Sequence, residues 1–472
     1  MALQIIQTPL YNTLPVGQQV IFAVSANTVV GTKFRVKFIA EVHVSNLSIN
    51  PSSSTDLIGT FKTTPNNAGV GIFDFRSVIE TFLKTDHEPQ TTIVANSDSE
   101  FKAVSAQSRI FPIHLVDKFA ISKNSIKYFQ IQFKVEYADT LNGPIIPPSD
   151  PTNNNTQDSD QYKMFNGLLQ YDDLLNEFQG DYGYNLTDYE FASTFPIAST
   201  KSFLSTAPAI QYARIEDYGT ISFFNFITAN VYEIEIKYYW SGGSNTETVL
   251  WNNANGGTTS QGPYVNTRLA YFGAYPANLK NWSSTFQTAS TNGLTHYTVQ
   301  ALNSAGESIS RHNTINILCP NLKGYEAIRL AWLNKWGTWD YYTFNMKSTK
   351  SISTNRTSYT QQGGTWNEGK FKIAGYKGGK KNFRVNSTEK ITLNTDFVTE
   401  ADSVWFEQLI NSIEVYVLEG IQNDPSFSSL NTYVQPVTVT TSSYTRKTVA
   451  NDKLMQYTIE IEKSKMKRTH SA

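Results

Sequence analysis

Residues 129–137 read FQIQFKVEY, with Phe129, Ile131, Phe133, Val135 and Tyr137 alternating with Gln130, Gln132, Lys134 and Glu136. Successive side chains on a strand point to opposite faces, so the five apolar residues share one face and the four polar residues the other. That is the pattern of an antiparallel strand with one buried face and one wet face. The same alternation recurs in Phe34–Val36–Phe38, in Tyr232–Ile234–Ile236–Tyr238, in Val415–Val417, in Val437–Val439 and in Tyr457–Ile459–Ile461. Turn residues punctuate these runs at Asn142-Gly143, Ser241-Gly242-Gly243, Asn255-Gly256-Gly257, Asn292-Gly293 and Gly378-Gly379. The chain therefore reads as mainly β, built from several antiparallel sandwiches with a few short packed helices.

Three stretches carry helical spacing. Asp74 is placed to cap a helix over 75–84 whose Val78, Ile79, Phe82 and Leu83 share a face. A second helix is predicted over 163–178, from Phe165, Leu168, Leu169, Leu174 and Leu175. A third is predicted over 399–411, where Thr399 and Asp402 resemble a capping box and Val404, Trp405, Leu409 and Ile410 form the apolar stripe. Three domains follow. Residues 1–215 form an N-terminal β-rich domain with a polar loop or arm at about 141–161, residues 216–320 a sandwich ending in strands 296–301 and 311–318, and residues 321–472 a C-terminal β-rich domain with the helix near 399–411. The basic ending KSKMKRTHSA is expected to be frayed and solvated.

At 472 residues the chain is too long for one core. Charged residues make up 17% and aromatics 13%, and the formal net charge is −1. Against a typical charged share of ~25%, this describes a polar, weakly charged surface that suits large contacts. No global field steers it toward nucleic acid or an anionic membrane, although a local ring of like charge could still line a channel. The opening MALQIIQTPLYNTLPVG lacks a basic n-region and a long apolar stretch, so no signal peptide is expected. No run approaches ~18 apolar residues, so no membrane span is expected either. The single cysteine, Cys319, excludes a disulfide framework and a cysteine zinc site. His43, His87, His114, His296, His312 and His470 show no ligand spacing, so no metal or cofactor is expected.

Candidate chemistry is thin. Glu233 and Glu235 lie at i, i+2 on a strand, about 7 Å apart on one face; carboxylate pairs serve glycoside hydrolysis, yet these occupy the polar face where solvated acids belong. Asp172-Asp173 reads as a solvated patch on a helix. Asp150, Asp158 and Asp160 lack the glycine turn and spacing of a calcium loop and read as a disordered or partner-facing arm. No nucleophile elbow, phosphate loop, dinucleotide loop or zinc-protease motif is present. The chain is read as a non-enzyme. Its densest aromatic cluster is WLNKWGTWDYYTF at 332–344, with Trp332, Trp336, Trp339, Tyr341 and Tyr342. Core packing of a strand–turn–strand, with Gly337 in the turn, outweighs interface anchoring, which in turn outweighs ligand stacking. Tyr238-Tyr239-Trp240 with Trp251 reads as cross-strand pairing in a hairpin. Lys463, Lys465, Lys467 and Arg468 read mostly as a solvated tail, with phosphate or an acidic neighbour as the other possibility.

Four stretches resemble the virion structural proteins of tailed phages infecting Bacteroidota, including the crAss-like group. They are PLYNTLPVGQQVIFAVS with KFRVKFIAEVHV, GVGIFDFRSVIETFL, GYEAIRLAWLNKWGTWDYYTF at 324–344, and SSYTRKTVANDKLMQYTIEIEKS at 442–464. The resemblance implies a neck or tail component of immunoglobulin- or fibronectin-like sandwiches, assembled as a symmetric ring, adaptor or tail component. Its partners would be copies of itself and neighbouring neck and tail proteins, in an assembly through which DNA could pass. It would be made in the host cytoplasm and reside in the virion, needing neither a leader nor disulfides. A receptor- or glycan-binding tail fibre or adhesin module is the alternative.

Overall fold

The run 129–137 lies within the strand Ile126–Ala138, at the centre of a seven-stranded sheet. In this computed structural model, residues 3–45, 56–86, 90–91, 109–110, 113, 119–122, 124–170, 173, 186, 189, 201–225, 231–250, 268–318, 324–419, 434–445 and 455–468 are described. The protein is mainly β, with five helices among the described residues. It divides into two units: Met1–Ile317 with Leu333–Asp340, and Leu318–Trp332 with Tyr341–Ala472.

In the first unit the sheet runs in the order Thr13–Val16, Tyr162–Leu168, Ile126–Ala138, Phe34–Ser45, Leu57–Thr63. A three-stranded sheet of Gln4–Gln7, Ile21–Ser25 and Val70–Asp74 shares its core. Phe133 lies 5.6 Å from Phe22 and 5.7 Å from Phe73, ring centre to ring centre. All three rings are buried, each contributing about 1.5–3 kcal/mol by leaving water. A side chain at Gly71 would meet the Phe38 ring at 2.4 Å, so the small residue admits that ring.

The alternation sorts this strand's apolar face as expected, but its polar face is wet only in part. Gln130 and Glu136 are buried, as is His43 on the neighbouring strand. The polar segment read as a disordered or partner-facing arm folds back alongside this strand and pairs with its edge. Thr156–Asp158 pairs with Gln132–Lys134, Ile145–Ile146 pairs with Tyr137–Ala138, and Asn153 donates to the Val135 carbonyl at 2.8 Å. Asparagine and serine side chains satisfy the buried backbone there, which makes so polar a segment foldable.

The helices differ from expectation in part. Asp74 does accept from Arg76 N at 3.0 Å, but it also accepts from Val20 N at 3.1 Å, and the helix is only Arg76–Glu80. Residues 162–168 form a strand instead of the start of a helix. Hydrogen-bonded neighbours on both sides, Thr13–Val16 and Ile126–Ala138, and the burial of Tyr162 and Met164 override its helical spacing. The rest of that stretch, apart from Asp173, lies outside the described residues from 171 onward.

The region read as a separate sandwich is a five-stranded sheet ordered Ile210–Ala213, Asn313–Ile317, Leu294–Leu302, Glu233–Trp240, Gly243–Leu250. Two short helices, Pro276–Trp282 and Ser284–Thr291, adjoin it, with Phe286 against Tyr238 and Tyr297. This region belongs to the same unit as the N-terminal residues. The strand Phe119–Ile121 pairs with Arg268–Phe272, and Leu204 N bonds to Ser222 O at 2.8 Å. Backbone pairing across the expected division at 215 and 216 joins the two sides. Cys319, Trp251 and the Asn255-Gly256-Gly257 turn lie outside the described residues.

The second unit is a seven-stranded sheet in the order Trp339–Phe344, Ile328–Leu333, Val415–Leu418, Val434–Val439, Thr458–Lys463, Gly379–Asn394, Thr349–Gln361, its first two strands joined by the turn that belongs to the first unit. The helix Glu400–Asn411 packs on it, with Trp405 4.9 Å from Trp332 and Phe406 4.8 Å from Tyr342. Its capping box is formed: Asp402 N donates to Thr399 Oγ1 and Thr399 N to the Asp402 carboxylate. No helix among the described residues is long and apolar enough to cross a membrane.

Candidate interaction arm

The strands Thr349–Gln361 and Gly379–Asn394 pair antiparallel from Thr349↔Thr392 to Gln361↔Gly379. Only Lys390–Asn394 of the second strand also pairs with a named strand on its other side, Thr458–Glu462. Outward of that the two strands form a ribbon. At about 3.3 Å per residue, the 13-residue first strand spans roughly 40 Å. Its first twelve residues are all exposed.

The ribbon's composition explains why it stays a strand without a core. Thr and Ser dominate Thr349–Gln361, and the branched Thr side chains favour extended backbone. On the second strand, Leu393 and Ile391 enter the core, and the same face continues outward through Glu389 to Val385. Phe383 is the extra residue of a bulge, since Thr357 pairs with Arg384 and Ser358 with Asn382. It is 61% exposed, and Ile352, opposite Glu389, is 65% exposed.

The loop at the tip, 362–378, is held by its own hydrogen bonds. Thr365 N donates to Lys372 O and Lys372 N to Thr365 Oγ1, both at 3.0 Å; Lys377 N donates to Ala374 O at 3.0 Å, and Lys381 Nζ to Tyr376 O at 3.1 Å. Its large apolar side chains face water nonetheless. Trp366 is 60%, Phe371 64%, Ile373 90% and Tyr376 77% exposed. Single exposed apolar residues are ordinary; here four fall within the eleven residues 366–376 of one loop.

The arm is also strongly basic. Residues 349–394 hold nine Lys and Arg (among them Lys370, Lys372, Lys380 and Arg384) against Glu368 and Glu389, a net of +7. The rest of the chain, with 30 basic against 38 acidic residues, carries −8.

The C-terminal tail, read as frayed, braces the arm's base as far as Arg468. Lys467 and Ser387 exchange both backbone hydrogen bonds, Lys467 Nζ and Lys463 Nζ both meet Glu389, and Arg468 Nε donates to Asn386 at 2.7 Å. Lys463 also meets Glu419. The hydrogen bond from Lys467 holds the Glu389 carboxyl below the usual carboxylate range, with Lys463 adding to it.

The aromatic cluster singled out in the sequence lies elsewhere. Trp332, Trp336, Trp339 and Tyr341 are buried and Tyr342 is half-buried. They do not form one platform. Trp336 and Trp339 fall in the first unit, where Trp336 packs 4.0 Å from Tyr189 and Trp339 Nε1 donates to Asp86 O at 3.3 Å. Trp332, Tyr341 and Tyr342 fall in the second, where the Arg329 guanidinium lies 5.1 Å from the Tyr341 ring. Burial of the four agrees with core packing.

The other candidate groups also have structural partners. Glu235 accepts from Gln300 at 2.5 Å, and burial, reinforced by Glu235, raises the Glu233 carboxyl. Asp173 pairs with Lys335 at 2.6 Å and is not a free solvated acid, while Asp172 lies outside the described residues. Asp150 accepts from the Thr152 hydroxyl and amide, which lowers its carboxyl. Among the described residues no three His, Cys, Asp or Glu come together to hold a metal ion. The arm escaped the sequence reading because whole-chain charge hid it; a windowed count over 349–394 would have found the basic block.

No protein-family model matches the chain, and no curated protein matches it.

Proposed function

We propose that this chain is a non-catalytic structural protein of a tailed-phage virion, part of the neck or tail assembly, working through protein–protein contacts. The observation that carries this reading is the arm, an ordered ribbon whose tip presents Trp366, Phe371, Ile373 and Tyr376 to water. Such a surface is poorly suited to a free monomer and well suited to burial in an assembly. The four stretches that resemble phage neck and tail proteins support the virion setting. A second reading is favoured by one feature: the exposed Trp366 and Tyr376 rings also suit stacking on a sugar, as in a receptor-binding module.

The test is mass spectrometry of gradient-purified particles of the encoding phage, with electron microscopy of their necks and tails. The expected result is a fixed copy number per particle and density for the chain around the neck–tail axis. Absence from the particles overturns the proposal. Density only at peripheral fibres, with glycan binding abolished by Trp366→Ala, transfers the chain to the second reading.

A further inference from the structure

We infer that the arm docks on a second copy of this chain, head to tail, against the net-negative remainder of that copy outside its own arm. The inference rests on the structural reading above and names the occupant of the arm's exposed face.

Charge selects the occupant. The arm carries +7 and the remainder of the same chain −8, so every copy offers both a basic projection and an acidic body. Two arms repel each other, which disfavours a self-complementary arm-to-arm contact. Arm against body is therefore a contact between two different surfaces, and repetition of such a contact closes a ring or extends a filament.

The apolar content selects protein over nucleic acid. Aromatic rings can stack on bases, but Ile352, Ile373 and Val385 gain nothing from a phosphate backbone. They gain by burial; Ile352 and Val385 share a sheet face with Ile391 and Leu393, which are buried in the core. Size is sufficient. A standard interface uses roughly 20–30 residues a side, and the ribbon and tip over 353–388 supply 36. The ladder, the tip's hydrogen bonds and the braced base preorganise the surface, which lowers the ordering cost of binding.

The experiment is sedimentation velocity with light scattering on the full chain, at rising protein concentration, in low and high salt. The natural chain is expected to form oligomers whose association weakens at least tenfold in high salt, because the contact is charge-assisted. A charge variant, Lys370→Glu/Lys372→Glu/Lys380→Glu, and a tip variant, Trp366→Ser/Phe371→Ser/Ile373→Ser/Tyr376→Ser, are both expected to stay monomeric with unchanged circular dichroism. Mixed with the natural chain, the tip variant is expected to cap and shorten the oligomers, because its body can still receive an arm. A natural chain that stays monomeric under all conditions overturns the inference. So does a tip variant excluded from the oligomers, which means arm meets arm. Preferential binding of a labelled oligonucleotide, lost in the charge variant, assigns the arm to nucleic acid. A monomer that is nevertheless found in particles sinks this inference alone; oligomers without particle association sink only the virion reading.

Discussion

Gly337 shows how one backbone conformation constrains a whole cluster. It adopts φ +72°, and a side-chain carbon there would stand 1.9 Å from the Asn166 carbonyl oxygen. Asn334 closes the turn around it, accepting from Trp336 N and Thr338 N and donating to Leu204 O at 2.9 Å. Gly337→Ala combines left-handed strain with a backbone clash that no rotamer relieves, so a loss on the order of 3 kcal/mol is expected in chemical denaturation. His43 offers a second residue-scale prediction. Its ring is buried with neither nitrogen hydrogen-bonded, and burial lowers its pKa from 6.5 even though Glu41, Asp56 and Asp158 act in the opposite direction and Lys134 in the same. The folded state resists the proton that the unfolded state accepts. Stability is therefore full above about pH 6.5 and falls as the pH drops from there toward the folded value. Urea unfolding at neutral and mildly acidic pH should show this loss, and His43→Leu should flatten it.

At the scale of elements, the helix Glu400–Asn411 depends on its first residues. Thr399 and Asp402 satisfy two otherwise unpaired amides reciprocally, and Glu400 and Asp402 place negative charge at the positive end of the helix. Thr399→Ala should cost about 1 kcal/mol in the thermal unfolding of the second unit, and Thr399→Ser should restore most of it. The helix matters beyond itself because Trp405 and Phe406 complete the packing of Trp332 and Tyr342, and Ser403 ties in the hydroxyls of Tyr444 and Tyr457. The arm is an element of the opposite kind. Its ladder is satisfied by its own two strands, it buries little, and its base is fastened by the Ser387–Lys467 exchange. Lys467 is exposed, so its ion pair with Glu389 contributes less than about 1 kcal/mol; the backbone exchange and the register do most of the fastening.

For the whole molecule, the arm and the folded cores should be separable. Replacing 356–385 with a two-residue Asn-Gly turn joins Asn355 to Asn386 at a register position that already pairs. The shortened protein should keep its circular dichroism and melt within a few degrees of the natural chain. A large drop in melting temperature would mean that the arm contributes to the core after all. If both cores survive, any assembly lost with the arm is lost for want of a contact surface and not for want of folding.

Local pattern was sufficient for much of this protein. The period-two run at 129–137, the capping box at Thr399 and Asp402, and the turn at Gly337 are each visible in a few neighbouring residues, because strand pleat, helix end and left-handed turn impose their demands locally. The mainly β class follows from them. Long-range pairing decided the rest. It buried Gln130, Glu136 and His43 on a face that alternation marks as wet, where Gln130 donates to Ser159 O and Glu136 pairs with Lys62. It made a strand of 162–168, joined residues on either side of 215 into one unit, and divided the tryptophans of 332–344 between two cores. It also left most of 353–388 uncovered. Sequence patterning records which residues can be buried together, but the surface that remains exposed depends on which strands find partners, and that is settled only when the whole chain has folded.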